Sequence, residues 1–313
     1  MTVLALIATL LIEQLRPLSD RSKLFAPLMA IKRLIERNTN AGEHHHGALA
    51  WLVAVVPMLL VALAVHFMLL ATHPLLAWFW NVAVLYVTLG FRQFSHHFTD
   101  VHRALVDGDL PRARRLIAAW RGQAADDLNS AEVARLAIEE AFVASHRHVF
   151  AVLFWFALLP GPAGAILYCA SLGLSQTWGR QVGPEHGDFG AFSRRAHALI
   201  DWLPVRLTAI GFAIVGNFED AVACWRNQAA RWRDPEAGIV LASGAGAIGV
   251  LLGMPIRTGG DAGAAGPIDD RATLGCGEEA DAGFLSSTVG LVWRALVLWL
   301  LLLTLLAIAR WVS

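Results

Sequence analysis

The sequence predicts an all-α fold: a multispanning helical membrane protein with about five membrane segments and a cytoplasmic helical insertion. Composition, the spacing of the apolar runs and one charged stretch between them predict it. Hydrophobic residues make up 56% of the 313-residue chain and charged residues 16%, below the roughly 25% charged of soluble domains, and the mean hydropathy is +0.53. Too few polar side chains remain to cover a water-facing globule of this length. Formal net charge is +0, so nothing in the charge balance implies a nucleic-acid partner, and membrane lipid is the expected surrounding. Cys169, Cys224 and Cys276 lie far apart with no CxxC pair. They spell no zinc or redox motif and read as small core side chains.

The elements follow in order. "MTVLALIATLLI" has no basic n-region before it and no small-residue cleavage site after it, so it reads as an uncleaved membrane anchor. A spanning helix needs about 20 mostly apolar residues. Residues 47–72 qualify, with Pro57 tolerated where neighbouring helices satisfy the freed carbonyl. Residues 74–94 make a second span after a very short turn, so the pair forms a helical hairpin. Residues 97–148 are dense in Arg and acids, with Val133, Leu136, Ala137 and Phe142 at helical spacing. Asn129 or Ser130 suits a helix cap. This stretch reads as a water-exposed insertion of two or more amphipathic helices.

An apolar run from Val149 to Leu172 is cut by Pro160-Gly161-Pro162. It either crosses as a broken helix or returns as a re-entrant pair of half-helices. Residues 202–218 are apolar but short and contain Arg206, which predicts a shallow or tilted segment. The small residues of 238–254 predict close packing rather than a span, and 257–282 an acidic glycine-rich loop. The final span is 288–310. Loop 14–46 holds six Lys or Arg against three acids. The positive-inside rule places it in the cytoplasm together with 97–148, and both termini on the far side. Residues 1–313 thus form one membrane domain. Its parts are an anchor and hairpin over 1–96, the insertion over 97–148, a broken segment with short apolar and polar stretches over 149–287, and the last span over 288–313.

Several polar residues stand out. Asp107 and Asp109 in "DGDLPRAR" suit a metal or a catalytic role, with Arg112, Arg114 and Arg115 near for an anion. The same letters also suit a turn and a helix start, with Asp as cap and Pro111 at the first position. Glu139 or Glu140 either faces a cavity beside His146 and Arg147 or lies on a solvated face. His146 and His148 are two apart and share no helix face, which favours a polar doorstep at the interface. The run His44–His46 allows metal binding or pH sensing, or simply flanks the span. Arg206, an arginine inside an apolar run, is a functional residue by default, as an anion site or an interfacial anchor.

Read in order, these pieces resemble the CobD/CbiB cobalamin-biosynthesis family, with AmpE-type inner-membrane proteins as near kin. "GDLPRARRL" resembles the family's GDLxxAR, and "SAEVARLAIEE" its AEIARAAIE helix. "VFAVLFWFALLPGPAGAILY" is similar to APLFWxxxGGxPGAxxY, and "DWLPVRLTA" to NWLPARLTA. "DPEAGIVLASGAGAIGVLLG" resembles SPNAGxxxAAxAGALGVxLGG, while "EQLRP" and "PLMAIKRLIERNTN" sit where the family has DRLLGDP and HPVRLIGRLIxxLERxLN. The resemblance covers nearly the whole chain. It departs at polar positions: Val143, Ala144 and Arg147 stand where AENxxDG has Glu, Asn and Asp. Leu172 and Ser175 replace Asn and Asp of NTLDSM, His197 and Ala198 both acids of RLDD, and Ala26 an early His.

The resemblance implies an ATP-dependent amide-forming ligase that joins adenosylcobyric acid to an aminopropanol or its phosphate in a bacterial inner membrane. It implies Mg2+ and ATP as cofactors and a corrinoid as substrate, with self-association left open. Taken with the reading of the residues, Asp107, Asp109 and Glu139 are the catalytic candidates and Arg114, Arg195 and Arg206 the substrate or anion candidates, while no metal-ligand set emerges. Two readings stand side by side: a synthase-type enzyme, and a non-catalytic AmpE-like signalling or regulatory protein. A transporter would need a polar path through the bilayer, to which only Asn81, Arg206 and the Pro-Gly-Pro break point.

Overall fold

The computed structural model describes residues 2–15, 44–179, 189–257 and 268–312. The basic loop used for the orientation argument, Ala26, the "PLMAIKRLIERNTN" segment and the side chains of His44–His46 lie outside what is described. The chain is nearly all helical and divides into two compact units, one of 1–90 and 151–204, the other of 91–150 and 205–313.

In the first unit, α1 (Thr2–Leu15) packs on α3 (Pro74–Thr88), and α3 packs on α2 (His44–Thr72). Pro57 is accommodated inside α2. The expected second arm of the hairpin stops at Thr88 rather than 94. Leu89 leaves the helix in extended backbone, and its N–H closes the last turn on Leu85 O. With 15 residues, α3 is shorter than a bilayer needs. Two further helices, α7 (Ala151–Leu158) and α8 (Ala163–Thr177), answer the question raised by Pro160-Gly161-Pro162. They pack against each other, so the chain turns back at the prolines. Gly161 takes φ 59 in that turn, a conformation natural to glycine. A Cβ on Gly164 would collide with Trp155 O, which shows how closely the two arms approach. Ala50, Val55, Ala170, Leu174 and Trp178 form the core between α2 and α8.

In the second unit, α4 (Phe91–Val106) and α5 (Leu110–Arg121) are amphipathic as expected, burying Phe98, Val101 and Ala104 on one and Ala113 and Ile117 on the other. Helix α6 (Ser130–Ser145) differs from the expected solvated helix. Every residue from Val133 to Glu139 is buried. Its N-terminus is a capping box, with Asn129 Oδ1 accepting from Glu132 N at 2.8 Å and Glu132 Oε2 accepting from Asn129 N at 2.7 Å, two orphan donors satisfied at once. A π-helical turn, His146–Phe150, continues α6 into α7 as one apolar helix, Ser130–Leu158.

Helix α9 (Phe189–Val215) carries the segment expected to be short and shallow as the second half of a 27-residue helix. Then come α10 (Phe218–Gln228) and α11 (Pro235–Ile248), a small-residue helix packed on α10. A Cβ at Gly246 would press on Asp220 O at 2.5 Å and at Gly244 on Phe142 at 2.9 Å, so these glycines are what lets the helices close. The last helix is α12 (Ala282–Val312).

Four helices among the described residues are long and apolar enough to cross a membrane: Gly47–Thr72, Ser130–Leu158, Gly190–Val215 and Ala282–Ala309. Leu60 and Val61 on α2, and Leu301, Leu305 and Leu306 on α12, leave large apolar side chains exposed, the surface a bilayer covers. The chain is a multi-pass helical membrane protein.

Candidate functional site

The stretch between α11 and α12 folds into short strands. A three-stranded sheet runs in the order β4 (Leu274–Gly275), β1 (Val250–Leu252), β5 (Glu278–Glu279), with β1 antiparallel to β4 and parallel to β5. Beside it β2 (Ile256–Arg257) pairs with β3 (Ile268–Asp269). The expected acidic loop over 257–282 is therefore partly strand. Between β1 and β2 the backbone turns through two successive positive φ values, Gly253 at 71° and Met254 at 64°. Met254 is the one non-glycine residue with positive φ among those described. It precedes Pro255, whose ring disfavours an α conformation before it, and such a residue costs on the order of 1–3 kcal/mol.

What holds this turn is helix α6. Glu139 Oε1 accepts from Gly253 N at 2.9 Å and from Arg271 Nη2 at 2.5 Å. Arg271 Nη2 also donates to Gly253 O at 3.3 Å, and its guanidinium lies 5.1 Å from the Trp232 ring centre. One turn before Glu139, Arg135 is 2% exposed and donates through Nη1 to Met254 Sδ at 3.2 Å. A thioether is a weak acceptor. The side chains of Arg271 and Glu139 are 9% and 8% exposed. The buried trio thus holds two guanidinium groups against one carboxylate, with the Nε of Arg135 and of Arg271 buried and without a hydrogen-bond partner among the described residues. Such an arrangement fits an anion: guanidinium edges bind carboxylate and phosphate oxygens in pairs.

Near it, Arg147 Nη2 donates to Asp234 Oδ2 at 3.0 Å, while Asp234 Oδ1 accepts from Ala237 N and caps α11. His146 is 3% exposed and its Nδ1 meets Thr208 Oγ1 at 2.9 Å. It is an interior group of the π turn, a feature often found at functional sites. The first unit holds a separate buried group. Tyr168 Oη donates to Asp201 Oδ1 at 3.1 Å, and the His197 ring lies 5.4 Å from that of Tyr168.

The sequence candidates fall in different places. Glu139 is at the centre of the trio. Asp107 is exposed in the turn after α4. Asp109 is exposed and caps α5, its carboxylate accepting from Arg112 N at 3.0 Å, with Pro111 in the first turn. Arg114 is half-buried and donates through Nε to Leu128 O at 2.6 Å, tying α5 to the chain before α6. Arg195 is exposed on α9 and Arg206 half-buried further along it. Glu140 pairs with Arg121 at 3.2 Å. Sequence reasoning missed Arg135, Arg271, Asp201 and Tyr168. An arginine in the "DDRATLGCG" loop was their one visible signal.

No group of three or more His, Cys, Asp or Glu side chains that could hold a metal comes together among the described residues. These acids do not fit a protein-built magnesium site.

Comparison with known proteins shows the family of the chain. A family model described as CobD/Cbib protein matches residues 3–273, a range that includes Arg135, Glu139 and Arg271. The cobalamin biosynthesis protein CobD of Stutzerimonas stutzeri (strain A1501) is 36% identical over 307 residues, covering 96% of each chain. The CobD protein of Chromobacterium violaceum is 37% identical over 253 residues, 81% of this chain and 77% of that one, and that of Rhodobacter capsulatus is 32% identical over 218 residues, 67% and 66%. No solved structure matches. On the model match and this near-full-length similarity, the chain belongs to the CobD/CbiB family.

Proposed function

We propose that this protein works in cobalamin biosynthesis as an amide-forming synthase of a bacterial inner membrane, joining adenosylcobyric acid to an aminopropanol or its phosphate. The observation that carries the reading is its collinearity, over 96% of both chains, with a protein named for cobalamin biosynthesis. The buried trio supports it on chemical grounds. The corrinoid acid carries anionic oxygens, as does the amine partner when it is the phosphate, and Arg135 and Arg271 offer two guanidinium groups against the carboxylate of Glu139. ATP would supply activation of the carboxylate as a phosphorylated species. The chain's own part is to bind and orient: Arg135 and Arg271 hold an oxyanion, and Glu139 fixes Arg271 and the Gly253 turn.

Complementation tests the reading. Expressed in a strain lacking the synthase, the chain is expected to restore growth when cobyric acid is the only precursor. Absence of growth, with the protein present in the membrane and a cobinamide-fed control growing, would overturn it.

A further inference from the structure

Cys224 and Cys276, remote in sequence, are brought together where α10 packs on β4. The contact is built from both sides. Cys224 lies on α10 and is 3% exposed. Gln228, one helical turn later, grips the backbone beside Cys276 with both ends of its amide. Its Nε2 donates to Gly275 O at 3.1 Å, and its Oε1 accepts from Gly275 N at 2.6 Å. Cys276 stands between two glycines in positive φ, Gly275 at 87° and Gly277 at 106°. Side chains at those positions would strike the backbone of Val250 and Gly249. The turn is therefore fixed against β1 and against α10, and Cys276, partly exposed, is presented to Cys224. Cys169 lies on α8 in the other unit, its Sγ directed at Thr88 O at 3.7 Å.

We propose that Cys224 and Cys276 form an oxidisable dithiol that closes to an intramolecular disulfide when the protein meets a peroxide. Cys276, the more exposed, reacts first. Its thiolate sulfur attacks a peroxide oxygen, an S–O bond forms as the O–O bond breaks, and the leaving hydroxide takes a proton to become water. The Cys224 sulfur then attacks the resulting sulfenic acid. The S–S bond forms, the S–O bond breaks, and a second water leaves. Two thiols give up two electrons and two hydrogens, and one peroxide becomes two waters. Burial, reinforced by Cys276 and Asp220, pushes the Cys224 thiol up to about 12, which suits it to the second step rather than the first. The bond ties α10 to the turn that follows Arg271. This inference stands apart from the proposed amide chemistry.

The test uses the full chain in detergent. After hydrogen peroxide treatment, remaining thiols are capped with maleimide and the digest is read by mass spectrometry. The expected result is a peptide pair joined through Cys224 and Cys276, lighter by two hydrogens and released by dithiothreitol, with Cys169 carrying maleimide. In Cys224→Ser, Cys276 is expected to stop at the sulfenic acid and to be trapped by dimedone. Recovery of Cys224 and Cys276 as separate maleimide adducts, at doses that oxidise an exposed reference thiol, would overturn the proposal. So would a bond to Cys169 or between two copies.

Discussion

Glu139 and Arg271, 132 positions apart in sequence, meet as a buried ion pair at 2.5 Å, and the same carboxylate oxygen receives Gly253 N. One side chain of α6 thus fixes both the strand-rich turn and the arginine that faces it. Removing one member leaves an uncompensated charge in the interior, which costs about 3–5 kcal/mol. Glu139→Ala is expected to lower unfolding stability in detergent by that order. Glu139→Leu combined with Arg271→Met is expected to lose less than the two single variants summed, since neither charge is then stranded. A thermal or denaturant unfolding series reads both.

Gly253 takes φ 71°, and a Cβ there would run into Ala272 O. Gly253→Ala therefore meets a backbone conformation costly for alanine and a steric clash together. A loss above about 1 kcal/mol is expected, with weakened growth in complementation because the turn carries Met254 against Arg135. Gly249, also in positive φ but with open space around its Cβ position, is expected to lose less when changed to Ala.

Asp109 separates two roles cleanly. Asparagine caps a helix about as well as aspartate, whereas alanine costs about 1 kcal/mol. Asp109→Asn is expected to keep both stability and complementation, and Asp109→Ala to lose stability alone. Loss of complementation in a stable Asp109→Asn protein would mark its carboxylate as chemically required.

Raising the pH bears on Cys224. Its thiol stays protonated in the folded chain up to about 12, above its value in the unfolded chain. Between those two values the unfolded state has released a proton that the folded state keeps, so stability falls as pH rises through the window. The fall is absent below it. Cys224→Ser is expected to flatten the alkaline limb of the stability profile, and iodoacetamide is expected to label Cys276 before Cys224.

Much of the architecture could be read from the residues. The close-packed 238–254 segment, the C-terminal span and the caps at Asn129 and Asp109 follow from local chemistry, and local chemistry is what a sequence displays. The burial of α6 could not be read. Arg135, Glu139 and His146 count as polar in any hydropathy reading, and their partners Met254, Arg271 and Thr208 come from distant stretches. The long span through α9 was hidden in the same way, because Asp201 is buried against Tyr168. The Cys224–Cys276 pair has no spacing motif at all. At Arg147, where the resembling family has an acid, the opposite charge is met by Asp234, where that family has a serine. The AmpE-like alternative gains nothing from the relatives found, which are named for cobalamin biosynthesis.

The most direct measurement is product formation by the purified chain. Supplied with adenosylcobyric acid, aminopropanol phosphate, ATP and magnesium, the wild-type protein is expected to yield the amide, seen by mass spectrometry. Arg135→Met, shown to be folded, is expected to yield it at least about tenfold more slowly, the loss of a charged hydrogen bond to an anion. Absence of amide from folded wild-type protein, under conditions where a known synthase makes it, would contradict the account.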